Sequence, residues 1–316
     1  MDLTKLIKAK ALDLGFDVVG IAEPDSDLEH FSYYEDWIIS GKNGTMRWME
    51  RRNDERRDIK KYFPEIKSVI SVAINYFTGN SPDIVAKGGA EYKFSNYAWG
   101  KDYHIIIKEK LKALLEFITM DLGVPSKGVV CVDTSPVLEK QWAKQAGLGW
   151  QGKNTLLLNE DHGSWIFLGE LLLDIPLEYD EPFVEDLCGS CTACIDACSV
   201  DALSDYQLDA SKCISYLTVE YKADFDDSQK NNLNGWIYGC DTCQQVCPWN
   251  KRNKQSSNEK LFQPIEPIRN YTLNDWSEIG QETFNQIFGS TPVKRLKHGR
   301  FIRNVQAVKE SLHIVD

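Results

Sequence analysis

Eight cysteines in the second half of the chain have the spacing of iron–sulfur ligands. Four of them form a C-x2-C-x2-C-x3-C run, in which three thiolates bind one 4Fe-4S cube and the fourth binds a second cube: Cys188, Cys191, Cys194 and Cys198. The end of that run recurs with its proline at Cys240, Cys243, Cys247 and Pro248, and Cys213 supplies the missing thiol. The pattern predicts two 4Fe-4S clusters, one on Cys188, Cys191, Cys194 and Cys247 and the other on Cys198, Cys213, Cys240 and Cys243.

Structural zinc is the alternative, because zinc sites also use paired cysteines. Two such runs and the terminal proline favour iron–sulfur clusters, although Ser199 stands where the first run normally has a proline. The ninth cysteine, Cys131, lies in an apolar strand pattern and is predicted to be a buried small hydrophobic residue rather than a catalytic one. Nine cysteines in 316 residues are too few for a disulfide framework.

The elements that must position these residues mix helices and strands. Periodicity and turn signals predict helices over 3–14, 101–122 and from about 135 to 146, and strands over 16–21, 68–74, 128–132, 155–158 and 165–173. This mixture predicts an α/β (α+β) fold. Asp133 follows one strand, and Ser135-Pro136 after it are typical of a helix start.

Several cofactor and membrane signals are missing from the sequence. We find no GxGxxG after a strand, no P-loop and no DxHxxG that would offer a histidine to cobalt. No run approaches the roughly 18 apolar residues of a membrane span, and the first residues lack the apolar core of a signal peptide. We therefore expect a cytoplasmic protein.

Charge is distributed unevenly along the chain, whose formal net charge is −11. Residues 154–211 contain thirteen Asp or Glu and no Lys or Arg, whereas residues 290–309 contain six Lys or Arg and no carboxylate. The acidic stretch fits either the docking of a positively charged reductant or a solvated surface. The basic segment fits either phosphate contacts or an exposed helix face.

Four long motifs resemble the epoxyqueuosine reductase family. They are residues 96–104 (NYAWGKDYH), 132–139 (VDTSPVLE), 146–157 (AGLGWQGKNTLL) and 238–250 (YGCDTCQQVCPWN). The resemblance implies an oxidoreductase that reduces epoxyqueuosine to queuosine at the wobble position of tRNA. Electrons would pass through the two clusters to cobalamin, and reduced cobalamin would act on the epoxide carbon.

The resemblance also implies site residues and a domain organisation. Asp133 would be the proton donor, although a carboxylate capping a helix is the plain alternative. The candidate cobalamin contacts are Arg57, Tyr97, Asp133, Asn154 and Ser215. The expected segments are a nitroreductase-like cobalamin-binding domain (1–175), a ferredoxin-like domain with both clusters (176–255) and a basic, short helical C-terminal segment (256–316).

The expected macromolecular substrate is the anticodon region of tRNA. The candidate phosphate contacts are Lys222, Lys294, Arg295, Lys297, Arg300 and Arg303. We expect a flavodoxin- or ferredoxin-type electron donor, no membrane and a monomer. Three alternative functions remain open: a corrinoid reductive dehalogenase, an electron-transfer protein that binds no corrinoid, and a zinc-stabilised RNA-binding module.

Overall fold

The computed structural model describes residues 2–24, 31–81, 92–252 and 255–313. These residues form two compact units, each built from two stretches of chain. Unit 1 contains the described residues up to Asn75 and those of Tyr103–Cys191, and unit 2 contains the described residues of 76–102 and those after Cys191.

The helices in chain order are α1 (Leu3–Asp13), α2 (Phe31–Ile39), α3 (Asn53–Arg57), α4 (Ile59–Tyr62), α5 (Tyr103–Glu116), α6 (Glu139–Gln145), α7 (Ala193–Asp196), α8 (Ile214–Val219), α9 (Asp227–Asn231), α10 (Thr242–Gln245), α11 (Pro248–Arg252), α12 (Glu266–Asn270), α13 (Leu273–Glu278), α14 (Gln281–Phe288) and α15 (Lys297–His313). A π-helical turn, Phe117–Asp121, extends α5, and 3-10 turns cover Asn96–Ala98, Lys260–Phe262 and Pro292–Leu296. The strands are β1 (Val18–Ala22), β2 (Ser68–Asn75), β3 (Lys93–Phe94), β4 (Gly128–Cys131), β5 (Trp150–Gln151), β6 (Leu157–Leu158), β7 (Ile166–Leu173), β8 (Leu203–Ser204), β9 (Gln207–Leu208) and β10 (Trp236–Tyr238).

Unit 1 is built on a four-stranded antiparallel sheet with the strand order β1-β2-β7-β4. Every residue of β2 is buried, and its Val and Ile side chains suit a strand covered on both faces. One face packs against α5, where Ile107 lies against Gly169 of β7. The other face packs against α6, and a Cβ at Gly20 would lie 1.9 Å from the Ala146 carbonyl oxygen. Glycine at this position therefore lets the end of α6 reach the sheet.

Unit 2 joins an early segment of the chain to its C-terminal part. β3 pairs in parallel with β10, and Phe94 packs among Trp276, Phe288 and Phe301 at ring-centroid distances of 5.5 to 6.2 Å. The residues before and after the 76–102 segment belong to unit 1. The aromatic contacts of Phe94 explain why the described residues of this segment belong to unit 2 instead. The two units thus differ from the three segments expected from the sequence, since unit 1 extends to Cys191 and the basic segment shares a unit with most of the cluster cysteines.

The α/β (α+β) class is confirmed, and most predicted elements lie within a few residues of their expected positions. The helix expected from about residue 135 begins only at Glu139. Asp133 has a φ of 57°, and Leu138 precedes the first helical residue, so Asp133 does not cap that helix. No helix in the described ranges is both long and apolar enough to cross a membrane.

Candidate active site and cluster ligands

Asp133 occupies a strained turn at the end of β4. Its φ of 57° places it in the left-handed region, which non-glycine residues adopt at an energetic cost. Two contacts hold the turn: the Asp133 N–H donates to Oε1 of Glu139, and the Thr134 N–H donates to the Val132 carbonyl at 2.6 Å. In parallel sheets, ligands bind at the carboxyl ends of the strands. That rule does not apply to Asp133 at the end of β4, because this sheet is antiparallel.

His104 is the side-chain partner of Asp133. Its Nε2 lies 3.1 Å from Oδ2 of Asp133, and the two side chains are 22% and 42% exposed. Stacking orients the imidazole, since the ring of Tyr103 lies 4.2 Å from His104 and 4.2 Å from Phe167. His104 lay within a family motif but was not among the predicted site residues.

Two carboxyl groups near the Asp133 turn, those of Glu139 and Glu170, were also not predicted from the sequence. Glu139 begins α6, and burial followed by the charge of Asp133 raises its pKa to about 8. Glu170 on β7 is 0% exposed, and burial followed by the charge of Glu139 raises its pKa well above the usual value. Glu170 is the one charged residue in the strand sequence IFLGELLL. A single carboxyl group within an apolar strand is the sequence signal that could have indicated this buried site.

Cys131 is fully buried beside these carboxyls, in agreement with the prediction that it belongs to the core. Burial raises the pKa of its thiol to about 12, and hydrogen bonds with the Ser135 and Tyr62 side chains act in the opposite direction. A thiol in this environment keeps its proton and is a weak nucleophile.

The four thiols predicted for the second cluster all belong to unit 2 and interact electrostatically with one another. Burial raises the pKa of Cys213, and the charge of Cys198 raises it further. Burial raises the pKa of Cys243, and the charges of Cys240 and Cys213 act in the same direction. The Ala202 N–H donates to Sγ of Cys198 at 3.4 Å, and the N–H groups of Ser215 and Tyr216 point at Cys213. Backbone donors around grouped thiolates are an arrangement that suits an iron–sulfur cluster.

The thiols predicted for the first cluster are distributed over both units. Cys188 and Cys191 belong to unit 1, whereas Cys194 and Cys247 belong to unit 2. A Cβ at Gly152 would lie 2.1 Å from Cδ1 of Leu158 and 3.5 Å from Sγ of Cys188, so glycine allows the 147–154 loop to approach this thiol. All nine cysteines are free of disulfides.

The other predicted cobalamin contacts, like Asp133, already have partners in the protein. Arg57 pairs with Glu35 and lies over the ring of Phe31 at 4.8 Å, and Asn154 accepts the Leu156 N–H at 3.2 Å. Tyr97 hydrogen-bonds Tyr238, and the Ser215 carbonyl accepts from the Thr218 hydroxyl at 3.3 Å. Arg57 and Asn154 lie in unit 1, and Tyr97 and Ser215 lie in unit 2.

Two of the family-like motifs meet inside unit 2. The buried carboxylate of Asp241 accepts the Ser95 hydroxyl and the Asn96 N–H, the latter at 2.7 Å, and burial raises its pKa to about 6. Asn96 itself is 2% exposed, and neither polar atom of its side chain has a hydrogen-bond partner among the described residues. These hydrogen bonds to Asp241 hold Ser95 and Asn96 next to the loop that carries Cys240.

The six predicted nucleic-acid contacts fall into two groups. Lys222, Lys294, Arg295 and Lys297 are exposed, and Arg295 forms an ion pair with Glu220 at 2.6 Å. Arg300 and Arg303 are half-buried, and their guanidinium groups donate to main-chain carbonyls of their own unit. Arg300 bonds Val219 at 3.0 Å, and Arg303 bonds Tyr221 at 3.0 Å.

Comparisons with known proteins agree on one family. Residues 187–250 match the family model "4Fe-4S double cluster binding domain", and residues 56–134 match "Epoxyqueuosine reductase QueG, DUF1730". The chain is 44% identical over 309 residues to an epoxyqueuosine reductase of Leadbetterella byssophila, covering 98% of this chain and 99% of that one.

Two solved structures of epoxyqueuosine reductases are also similar. One contains an epoxyqueuosine-modified tRNA-Tyr stem loop, with a TM-score of 0.86 and 29% identity. The other, from Bacillus subtilis, has its catalytic aspartate loop swung out of the active site, with a TM-score of 0.86 and 28% identity. Each alignment covers 98% of this chain and 81% of the other.

Proposed function

The chain belongs to the epoxyqueuosine reductase family, and from that premise we propose that it reduces epoxyqueuosine to queuosine at the wobble position of tRNA. The observation that carries the proposal is the 44% identity to a curated epoxyqueuosine reductase along 98% of this chain. Removal of the epoxide oxygen as water consumes two electrons and two protons, so the protein must deliver both.

Two 4Fe-4S clusters are the means of electron delivery. The match to a double-cluster domain covers all eight predicted ligands. Seven lie in the two cysteine runs, and Cys213 between the runs is the eighth. The cysteines form no disulfides, and backbone N–H groups donate to Cys198 and Cys213; both observations fit this use. We propose that an external flavodoxin- or ferredoxin-type protein supplies single electrons to these clusters.

Cobalamin would supply hydrogen-bond partners for Nδ2 and Oδ1 of Asn96, which have none among the described residues. A corrin carries peripheral amides that can both donate to and accept from a buried asparagine side chain, which otherwise costs free energy without partners. Tyr97 follows it directly, and Arg57, Asn154 and Ser215 remain proposed contacts. When bound, cobalamin would supply the reduced cobalt centre that acts on the epoxide carbon.

Asp133 is the proposed proton donor to the departing oxygen. The left-handed turn presents its half-exposed carboxyl beside His104, while the N–H bond to Glu139 holds the backbone. A carboxyl fixed in this manner is oriented for general acid catalysis.

The proposed tRNA contacts are the four exposed cations Lys222, Lys294, Arg295 and Lys297. Contacts to phosphates position a nucleic acid without reading its sequence, and the modified base must be splayed out to reach an active site. Arg300 and Arg303 are proposed contacts as well, although part of each guanidinium group also bonds a main-chain carbonyl of the protein. We further propose a monomer located in the cytoplasm.

The experiment that tests the function uses anaerobically prepared, cobalamin-loaded protein with a low-potential one-electron reductant. Incubation with epoxyqueuosine-bearing tRNA should convert the nucleoside to queuosine, detected by mass analysis as the loss of one oxygen. Protein that contains both clusters and cobalamin but leaves epoxyqueuosine intact would refute the proposal.

A further inference from the structure

Asp241 is a buried carboxylate in the loop that carries two proposed cluster ligands. Cys240 directly precedes it, Cys243 follows two residues later, and its side chain is 0% exposed. It bonds the segment that carries the proposed cobalamin contacts Asn96 and Tyr97, and all of these residues lie in unit 2. The inference drawn from this arrangement rests on the proposed function, because both cofactors belong to that function.

Both oxygens of Asp241 accept hydrogen bonds from that segment. The Ser95 hydroxyl donates to Oδ1, and the Asn96 N–H donates to Oδ2 at 2.7 Å. Hydrogen bonds to a charged group are stronger than those between neutral groups. Residues 95 and 96 cannot move away from the loop without leaving a buried carboxylate without these partners, which is energetically costly.

Gly239 allows the segment and the loop to approach each other closely. Its φ of 69° lies in the left-handed region, which glycine adopts without strain. A Cβ at this position would lie 2.5 Å from Cβ of Ser95 and 3.1 Å from Cε1 of Tyr97. The Ser95 N–H also donates to the Tyr238 carbonyl at 2.8 Å. Backbone contacts and the Asp241 carboxylate therefore hold the same three residues, 95–97, against the loop.

The same carboxylate influences the proposed cluster ligands. Burial raises the pKa of the Cys240 and Cys243 thiols, and the charge of Asp241 acts in the same direction on both. Asp241 is therefore close enough to both sulfur atoms to interact with them electrostatically. A displacement of its side chain changes the surroundings of both thiols.

We propose that Asp241 is a positioning residue that holds Asn96 and Tyr97 in a fixed position relative to the cluster ligands Cys240 and Cys243. It acts through its hydrogen bonds to residues 95 and 96 and not on a reacting atom. No covalent bond forms or breaks in this role, and no proton or electron moves through the carboxylate.

Cobalamin titration of anaerobically prepared protein, followed by absorption, tests the proposal without turnover. Asp241→Ala removes both acceptors and should raise the Kd about 10-fold to 100-fold. Asp241→Asn should stay within about 3-fold of wild type, because its Oδ1 can accept the Asn96 N–H and its Nδ2 can donate to the Ser95 hydroxyl oxygen. Ser95→Ala removes one of the two bonds and should raise the Kd about 3-fold to 10-fold. Its result decides the question if Asp241→Ala fails to assemble its clusters.

Tyr92→Phe is the matched control. Tyr92 is a buried residue of the same segment, and its hydroxyl donates to the carbonyls of Ile268 and Tyr271 at 3.3 and 2.5 Å. This variant removes buried hydrogen bonds but leaves Asp241 and its two partners unchanged, so we expect the wild-type Kd. Equal losses of affinity in Tyr92→Phe and Asp241→Ala would indicate general destabilisation and overturn the proposal. Wild-type affinity in Asp241→Ala, or an equally weak Asp241→Asn, would also overturn it.

Electron paramagnetic resonance of the reduced, cobalamin-free protein tests the cluster side. Ser95→Ala replaces no cysteine, yet its cluster signal should differ from wild type because the carboxylate beside Cys240 loses a partner. An identical signal in wild type, Ser95→Ala and Asp241→Ala overturns the proposal. If wild type binds cobalamin but leaves epoxyqueuosine intact, only the proposed function fails, and the Kd values still decide the role of Asp241. If wild type binds no cobalamin, both fail.

Discussion

Nε2 of His104 lies 3.1 Å from Oδ2 of Asp133, and the stacked ring of Tyr103 fixes the imidazole in that position. A hydrogen bond to a charged group contributes roughly 1.5–3 kcal/mol, so loss of the imidazole nitrogen should release the Asp133 carboxyl from its orientation. In His104→Phe, which keeps an aromatic ring in the stack, we expect kcat to fall about 10-fold to 100-fold with little change in KM. Equal kcat values for this variant and wild type would show that His104 does not orient the donor.

Asp133 itself should be indispensable for turnover but not for cofactor binding. Asp133→Asn keeps the size of the side chain and removes the acidic proton, so we expect the rate to fall about 100-fold to 10,000-fold. Absorption spectra should show that clusters and cobalamin are retained. Wild-type activity in the asparagine variant would remove Asp133 from the mechanism.

Cys213 and Cys131 offer a matched test of the cluster assignment. Cys213→Ala should lower the iron content from about eight to about four atoms per chain, since each cube needs four thiolates. Cys131→Ala should keep the full iron content, because Cys131 is buried in the sheet of unit 1 and its thiol contacts Ser135 and Tyr62. Iron and sulfide analysis after anaerobic reconstitution provides the measurement, and zinc in place of iron would contradict the assignment.

The exposed cations near the start of α15 should bind tRNA through its phosphates. Charge reversal at Lys294, Arg295 and Lys297 should weaken binding and reduce the slope of log affinity against log salt by about one unit per lost contact. Lys112→Glu, an exposed position of α5, serves as the control. Unchanged affinity in the triple variant, measured by a filter or anisotropy assay, would exclude this surface.

Burial of Glu170 predicts a specific dependence of stability on pH. Its folded pKa is raised, so above about pH 4.5 the unfolded chain releases a proton that the folded chain keeps. Wild type therefore loses up to about 1.4 kcal/mol of unfolding free energy per pH unit through this group as the pH rises. The Tm of Glu170→Gln relative to wild type should rise between pH 5 and pH 8, and that of Glu109→Gln, at an exposed position of α5, should not. A Tm difference that does not vary with pH would mean that Glu170 is ionised in the folded protein.

Local sequence patterns predicted the elements well, because the signals for them are local. The apolar run at β2 and the helical period of α5 both lie close to the predicted residues, and cysteine spacing alone indicated the clusters. The strand order β1-β2-β7-β4 and its antiparallel sense depend on long-range pairing that no single motif encodes. The left-handed turn at Asp133 was missed because Ser135-Pro136 favoured an earlier helix start.

The candidate site was predicted only in part for the same physical reason. Asp133 lies within a recognisable motif. Glu170, in contrast, acquires its burial from a strand register that places it opposite Cys131, 39 positions earlier, and the helix that begins at Glu139 packs on the same face. Arg303 looked like a free cation in the sequence, but the fold directs its guanidinium to the carbonyl of Tyr221, 82 positions earlier. Burial and hydrogen bonding of this kind are decided by tertiary structure.

The discontinuous composition of unit 2 has a consequence for synthesis on the ribosome. β3 is translated about 140 residues before its partner β10, and the aromatic neighbours of Phe94 come later still. During synthesis, Phe94 can therefore be buried only after its packing partners Trp276, Phe288 and Phe301 have left the ribosome. A gene fragment cut near residue 175 would separate this segment from its packing partners, so soluble expression should require the part of unit 2 that follows Cys191.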